Sequence, residues 1–459
     1  MSTPNHELND TVTHLLAQFV ADLHYEDIPK NVIEFTKVCL LDLFGSAFAA
    51  IRTPISLAAG NFSEEALGHG AVTRWDTGEK ASIVGATWVN SVLASAIDID
   101  DGHRLAIGHP GSVIIPPTVA MAEHEHAHGK QLLEAVIAGY EVAIRVSHSR
   151  DPQQIENVAT GGWGGFGAAM GAAKLLSQPV PMIENTLGLV AMFGPRIPGY
   201  FPGGRGMVKE GIAWAAVSGV SSALLSSSGF TGPQQVMDLL PFYNPQYVLE
   251  DLGTDFLILK TYFKKYPCCR WLHPIIEGCL TLIDEGGFKI PYIEKIRVQT
   301  FSRAYELPNQ TFPKTLEEAQ FSIPFCSALA MIKKQTGFHH IQVEDLNNPE
   351  VIQLSEKIHL EHQPYFDEFF PEKIVSKITI ETSRGTFEKM VSSVKGDPDN
   401  TFSQKELESK YLSYALPIMG KKKALLLMDS IWNLEGVSIG DLTRIMNPKE
   451  MLRKRMDTD

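Results

Sequence analysis

Lys295-Ile296-Arg297-Val298-Gln299-Thr300 decides the architecture. Ile296, Val298 and Thr300 alternate with Lys295, Arg297 and Gln299, and a period of two marks a strand with one buried face. Upstream, from about Asn9 to Gly229, apolar residues recur at helical spacing instead. Val32 to Ala50 follows it, with Asp42 the one acid in its apolar second half. So does Gln131 to His148, through Leu132, Leu133, Val136, Ile137, Tyr140 and Ile144. Trp163 to Leu176 and Lys209 to Ser226 are rich in Ala and Gly, which suits central helices whose backbones approach closely. Downstream, Ile374–Glu381 and Thr386–Val391 read as two more strands joined by the turn Ser383-Arg384-Gly385. Two helical stretches lie between the first strand and this pair. One starts at the capping box Thr315-Leu316-Glu317-Glu318 and runs through Ala328; the other covers Asn348 to Ile358. Lys395 to Asn400 is a linker, and a second capping box, Ser403 to Glu406, opens helices to Leu434. The expected fold is mainly α. A large all-helical domain takes 1–270, a smaller α+β lid domain 271–400, and C-terminal helices over 401–459 rejoin the helical domain. An active site is expected between them.

The bulk properties narrow the function. A chain of 459 residues with 44% hydrophobic and 20% charged content forms two or three domains with a large core. Its net charge of -13 argues against nucleic acid and anionic membrane surfaces as partners. A small anionic substrate remains compatible, since it feels only its pocket. Five scattered cysteines fit a reduced, cytoplasmic location. Met1 to Asp10 carries no signal pattern, and no run of 18 apolar residues suggests a membrane span.

The chemistry concentrates in Asp98-Ile99-Asp100-Asp101-Gly102-His103-Arg104-Leu105-Ala106-Ile107-Gly108-His109-Pro110-Gly111-Ser112. Three carboxylates, two imidazoles and a guanidinium interrupt apolar sequence, where charge is costly unless paired. Histidine is the commonest acid–base group near neutral pH. The stretch therefore reads as an acid–base loop. Two basic clusters supply anion binding. Arg205 to Gly211 follows the Pro/Gly-rich loop Gly199–Gly204 and places Lys209 at the start of a buried helix. Lys264 to His273, with Tyr266 and Arg270, sits at the domain junction. Arg270 has the alternative of pairing with an acid and holding the lid to the helical domain. Gly162 to Gly167 matches G-x-G-x-x-G, but the polar stretch Ser149–Glu156, with Pro152, is no strand, so helix packing is the reading. In Glu123 to His128, His124 and His128 would share a helix face, but His126 points elsewhere and no further ligand set accompanies them, so the stretch reads as a solvated turn.

Together these residues resemble the MmgE/PrpD family, which includes 2-methylcitrate dehydratase, cis-aconitate decarboxylase and iminodisuccinate epimerase. The resemblance rests on Leu41 to Gly45, Asn90, Asp98-x-Asp100-Asp101, His109-Pro110, Lys209, Lys264-x-Tyr266-Pro267 and Ala319 to Pro324 in order. It implies a helical domain with a smaller lid, a homodimer, and catalysis with no metal and no cofactor. Asp98, His109, Lys209 and Lys264 match the family's active-site positions. Two positions depart from the decarboxylase pattern. Gly102 stands where that pattern has Thr, and Val158, Ala159 or Thr160 where it has a second pocket His.

The expected reaction is proton abstraction next to a carboxylate of a small di- or tricarboxylate. His109 and His103 would carry protons, with Asp98 and Asp101 orienting them. Lys209, Lys264 and Arg270 would supply positive charge, with Arg104, Tyr266 and His273 completing the binding surface. The two departures argue against decarboxylation of cis-aconitate; a dehydratase is the favoured lyase, with decarboxylation or epimerisation as alternatives. A catalytically inactive binding protein is the reading from another class.

Overall fold

The Gln131–His148 stripe is the core of a helix, Gly129–Ser149, with its apolar positions buried. That helix lies on the glycine-rich helix Gly164–Leu175 where neither backbone has room for a side chain. A Cβ on Gly167 would stand 2.6 Å from the Gly139 carbonyl oxygen, and one on Gly139 2.9 Å from that of Gly167. Close approach is therefore what the glycines do. The computed structural model describes residues 11–150, 159–195, 206–239, 241–334 and 340–448. The Gly199–Gly204 loop, Arg205, Val158 and the N-terminal Met1–Asp10 lie outside the described residues.

Helices Val12–Asp22, Lys30–Ala50, Ile83–Ser95, Pro110–His124 and Ile212–Ser227 share one core with the pair above. Leu407, Tyr411 and Ile431, from the kinked C-terminal helix Gln404–Trp432, belong to the same core. Helix Gln404–Trp432 runs along Lys30–Ala50, where the buried Lys410 ammonium meets Asp42 at 2.6 Å. Among the described residues no single helix is long and apolar enough to cross a membrane.

A second core begins at Tyr266 and runs to Ile380. Its sheet has the order Ile358–His362, Ile293–Thr300, Ser376–Thr382, Gly385–Val391, parallel in the first pairing and antiparallel in the rest. Val298 faces Ile378 and Ile296 faces Ile380, so the alternation seen in the sequence is the buried face. Helix His273–Gly286 packs on this sheet, and Ile323–Lys333 packs on that helix. The expected helix Asn348–Ile358 needs correction. Asn348 caps a helix that ends at Ser355, and Ile358 opens the edge strand. The helix begun by Thr315 also breaks, at Phe321, before Ser322 caps the next one.

Candidate active site

Helix Ile83–Ser95 ends in a turn that brings Asp98 into left-handed backbone (φ 57), a conformation Asp tolerates better than most residues. The turn is held from outside. Gln320 donates to the Ala96 carbonyl (3.0 Å), and Lys264 Nζ donates to the Asp98 carbonyl (3.0 Å). The Asp98 carboxylate then bridges two ammonium groups. Oδ1 accepts from Lys209 Nζ at 2.9 Å and Oδ2 from Lys264 Nζ at 3.1 Å. Burial alone would raise the Asp98 pKa, but Lys209, Lys264 and His109 outweigh it and hold it well below the usual carboxylate range.

His109 precedes helix Pro110–His124. Its Nδ1 meets Asp100 Oδ2 at 3.1 Å, and its Nε2 lies 4.0 Å from Asp98 Oδ1. A carboxylate on Nδ1 fixes the tautomer and leaves Nε2 for chemistry. Burial and the Lys264 charge act downward on its pKa; Asp100, by charge and hydrogen bond, and Glu210 more than compensate, so the net shift is upward. Nε2 faces a narrow crevice lined by Ser95, Asp98, His109, Lys209, Glu210 and Ile212. Lys209 Nζ also donates to Gln320 Oε1 at 2.7 Å, and an ammonium has a third N–H to offer.

Lys209, Lys264 and His109 thus converge on the Asp98 carboxylate, and of the three only Lys209 and His109 line the crevice. Other expected residues stand elsewhere. Lys264 is fully buried and does not line the crevice; it positions Asp98 rather than a substrate. His103 is occupied on both ring nitrogens, with Nε2 on the Leu257 carbonyl at 3.0 Å and Nδ1 accepting from Ala106 N at 3.4 Å. Burial pushes its pKa down to about 4, so it is a neutral structural histidine and not a proton carrier. Arg104 and Arg270 both donate to Asp397 Oδ1, at 2.6 and 2.7 Å. This is the lid-to-helix latch, and neither guanidinium lines the crevice. His273 accepts from Arg270 Nη1 (3.1 Å) and bonds the Tyr266 carbonyl (3.1 Å), with its ring edge-on to that of Tyr266. Neither residue lines the crevice.

Asp101 also needs correction, because Asp100 is the carboxylate on His109. Asp101 instead accepts from Gly111 N (2.8 Å) and the Tyr140 hydroxyl (2.7 Å). Burial pushes its pKa up to about 7, against those two donors. A buried carboxyl raised in this way binds its proton more tightly folded than unfolded. Stability should therefore fall as pH rises from about 4 through 7. In Asp101→Asn that component is absent. Urea midpoints at pH 5 and pH 8 should show the wild type losing ground to the variant at the higher pH; an unchanged gap would contradict the assignment.

Sequence reasoning missed Asp100, Glu210, Gln320 and Ser95 as site residues. Asp98, Asp100 and His109 each bring one donor atom within 4.8 Å of the others. The set suits protons better than a metal ion, because Asp98 already serves two ammonium groups that would repel a cation.

The MmgE/PrpD N-terminal domain family matches residues 14–239, and the MmgE/PrpD C-terminal domain family matches 266–434. The chain belongs to the MmgE/PrpD family. Similar proteins include the cis-aconitate decarboxylase-like protein oryM of Aspergillus oryzae, 24% identical over 92% of this chain and 94% of that protein. Cis-aconitate decarboxylase of Aspergillus terreus is 24% identical over 78% of the chain and 79% of its own length. The Mus musculus cis-aconitate decarboxylase is 23% identical over 95% and 93%.

Within this MmgE/PrpD chain, Gly102 has a local cause. It pairs with Tyr262 across a short two-strand bridge, and a Cβ at 102 would run into the Tyr262 phenol. Gly102→Thr should cost about 1–3 kcal/mol by overpacking. Thermal denaturation should show the loss, partly recovered by adding Tyr262→Ala. An unchanged Tm in Gly102→Thr would refute the explanation.

Proposed function

We propose that the chain is a lyase acting on a small di- or tricarboxylate, without metal or organic cofactor, by moving a proton at a carbon beside a carboxylate. The observation that carries the reading is His109, with Nδ1 on Asp100 and Nε2 open on a crevice that also presents the Lys209 ammonium. His109 Nε2 takes the proton as the C–H bond breaks. The electron pair moves into the neighbouring carboxylate. Lys209 then faces the enediolate, where one well-placed donor is worth roughly 3–4 kcal/mol. In a dehydration the β C–O bond breaks next; the hydroxide takes a proton from solvent and leaves as water, and the proton on His109 remains to be shed.

Decarboxylation is the second reading, favoured by the names of the relatives. There the C–C bond gives its electron pair to the carbon frame as CO2 leaves, and a His109 imidazolium that has taken its proton from solvent delivers it to that carbon. A homodimer belongs to the same proposal. The partly exposed ring row Phe62, Trp88 and Trp214, with centroids 5.4 and 5.8 Å apart, supports an interface.

EDTA-treated protein incubated with cis-aconitate and with β-hydroxy tricarboxylates, followed by NMR, tests the reading. Turnover of one of them is expected. Activity lost on chelation and restored by a single divalent metal would overturn cofactor independence.

A further inference from the structure

Glu210 takes no part in the steps above, yet it lines the same crevice. It is the middle of three successive left-handed residues, between Lys209 (φ 42) and Gly211 (φ 74), with φ 58 itself. Such backbone is strained for the two that carry side chains, and strain persists where the surroundings fix it. Here Thr160 fixes it. Glu210 Oε2 accepts from Thr160 N at 2.9 Å and from its hydroxyl at 2.8 Å, and that same hydroxyl oxygen accepts from His109 N at 3.1 Å. Thr160 therefore ties the Glu210 carboxylate to the His109 backbone. Glu210 Oε1 is left 3.9 Å from His109 Nε2. The Glu210 side chain is 30% exposed and that of His109 13%, so the carboxylate stands nearer to water.

We propose that Glu210 is the second proton-carrying group of the site, passing protons between His109 and solvent. The inference rests on the role given to His109 above. The step balances. The imidazolium Nε2–H bond breaks as an O–H bond forms on Glu210 Oε1, leaving a neutral imidazole and a carboxyl group. That carboxyl then gives its proton to bulk water or a buffer base. A gap of 3.9 Å exceeds a hydrogen bond, and one bridging water or a small rotation closes it. Among the described residues the charged groups facing His109 are Asp98, Asp100, Lys209, Lys264 and Glu210, and of the three carboxylates Glu210 alone has neither a lysine partner nor a hydrogen bond to the ring.

The first test needs no substrate. In protein labelled with ¹³C at histidine Cε1, the His109 signal is assigned by its loss in His109→Gln and titrated by NMR. Glu210→Gln should lower the His109 pKa by about half a unit or more. The second test is kinetic. Glu210→Ala should lose about tenfold or more in kcat at unchanged KM, and added formate should restore it. A His109 titration that does not move in Glu210→Gln overturns the inference. So does Glu210→Ala with full kcat, or a defect that formate leaves untouched. Full turnover in His109→Gln would overturn the His109 reading as well, whereas an inactive His109→Gln beside a fully active Glu210→Ala would overturn the relay alone.

Discussion

His109→Gln is expected to lower kcat/KM by about 100-fold or more, the usual worth of a general acid–base group, while the protein stays folded. Gln can keep a hydrogen bond to Asp100 but cannot carry a proton through Nε2. The loss should sit in kcat, because Lys209 still faces the crevice. Circular dichroism and Tm should match the wild type. A variant retaining more than about a tenth of wild-type kcat/KM would remove His109 from the chemistry.

Asp98→Asn should have the largest effect on stability. It keeps the shape and tolerates the left-handed backbone, but it removes the charge between two buried ammonium groups. Stranding one buried partner typically costs about 3–5 kcal/mol, and here two are stranded. A double-mutant cycle separates this from a packing defect. Lys264→Met added to Asp98→Asn should recover part of the loss, since one unpaired ammonium goes with it. Additive losses in urea unfolding would contradict the pairing.

How far the sequence speaks depends on what each residue pattern encodes. The strand Ile293–Thr300 and the hairpin after it were readable because one sheet face is buried and the other is not. The edge strand Ile358–His362 was not, because a true helix cap at Asn348 starts a helical pattern just before it and the strand packs only lightly. The site divides in the same way. A run of charge inside apolar sequence pointed to Asp98 and His109, and two basic clusters pointed to the same place through Lys209 and Lys264. Which carboxylate reaches His109 depends on the left-handed turn at Asp98, which rotates the following residues and has no composition of its own. Asp100 and Asp101 therefore look alike in sequence and differ entirely in role. Arg104 and Arg270 look like carboxylate binders because they are; their carboxylate is Asp397, some 125 residues or more along the chain.

The account stands or falls on a proton moved by His109 at a carbon beside a carboxylate. The most direct measurement is ¹H NMR of EDTA-treated protein in D₂O with a panel of di- and tricarboxylates. Product formation or deuterium entry at the carbon next to a carboxylate is predicted for at least one compound with the wild type, and its near-complete loss in His109→Gln. Exchange or turnover that continues at the wild-type rate in His109→Gln, or appears only when a metal is added back, would contradict it.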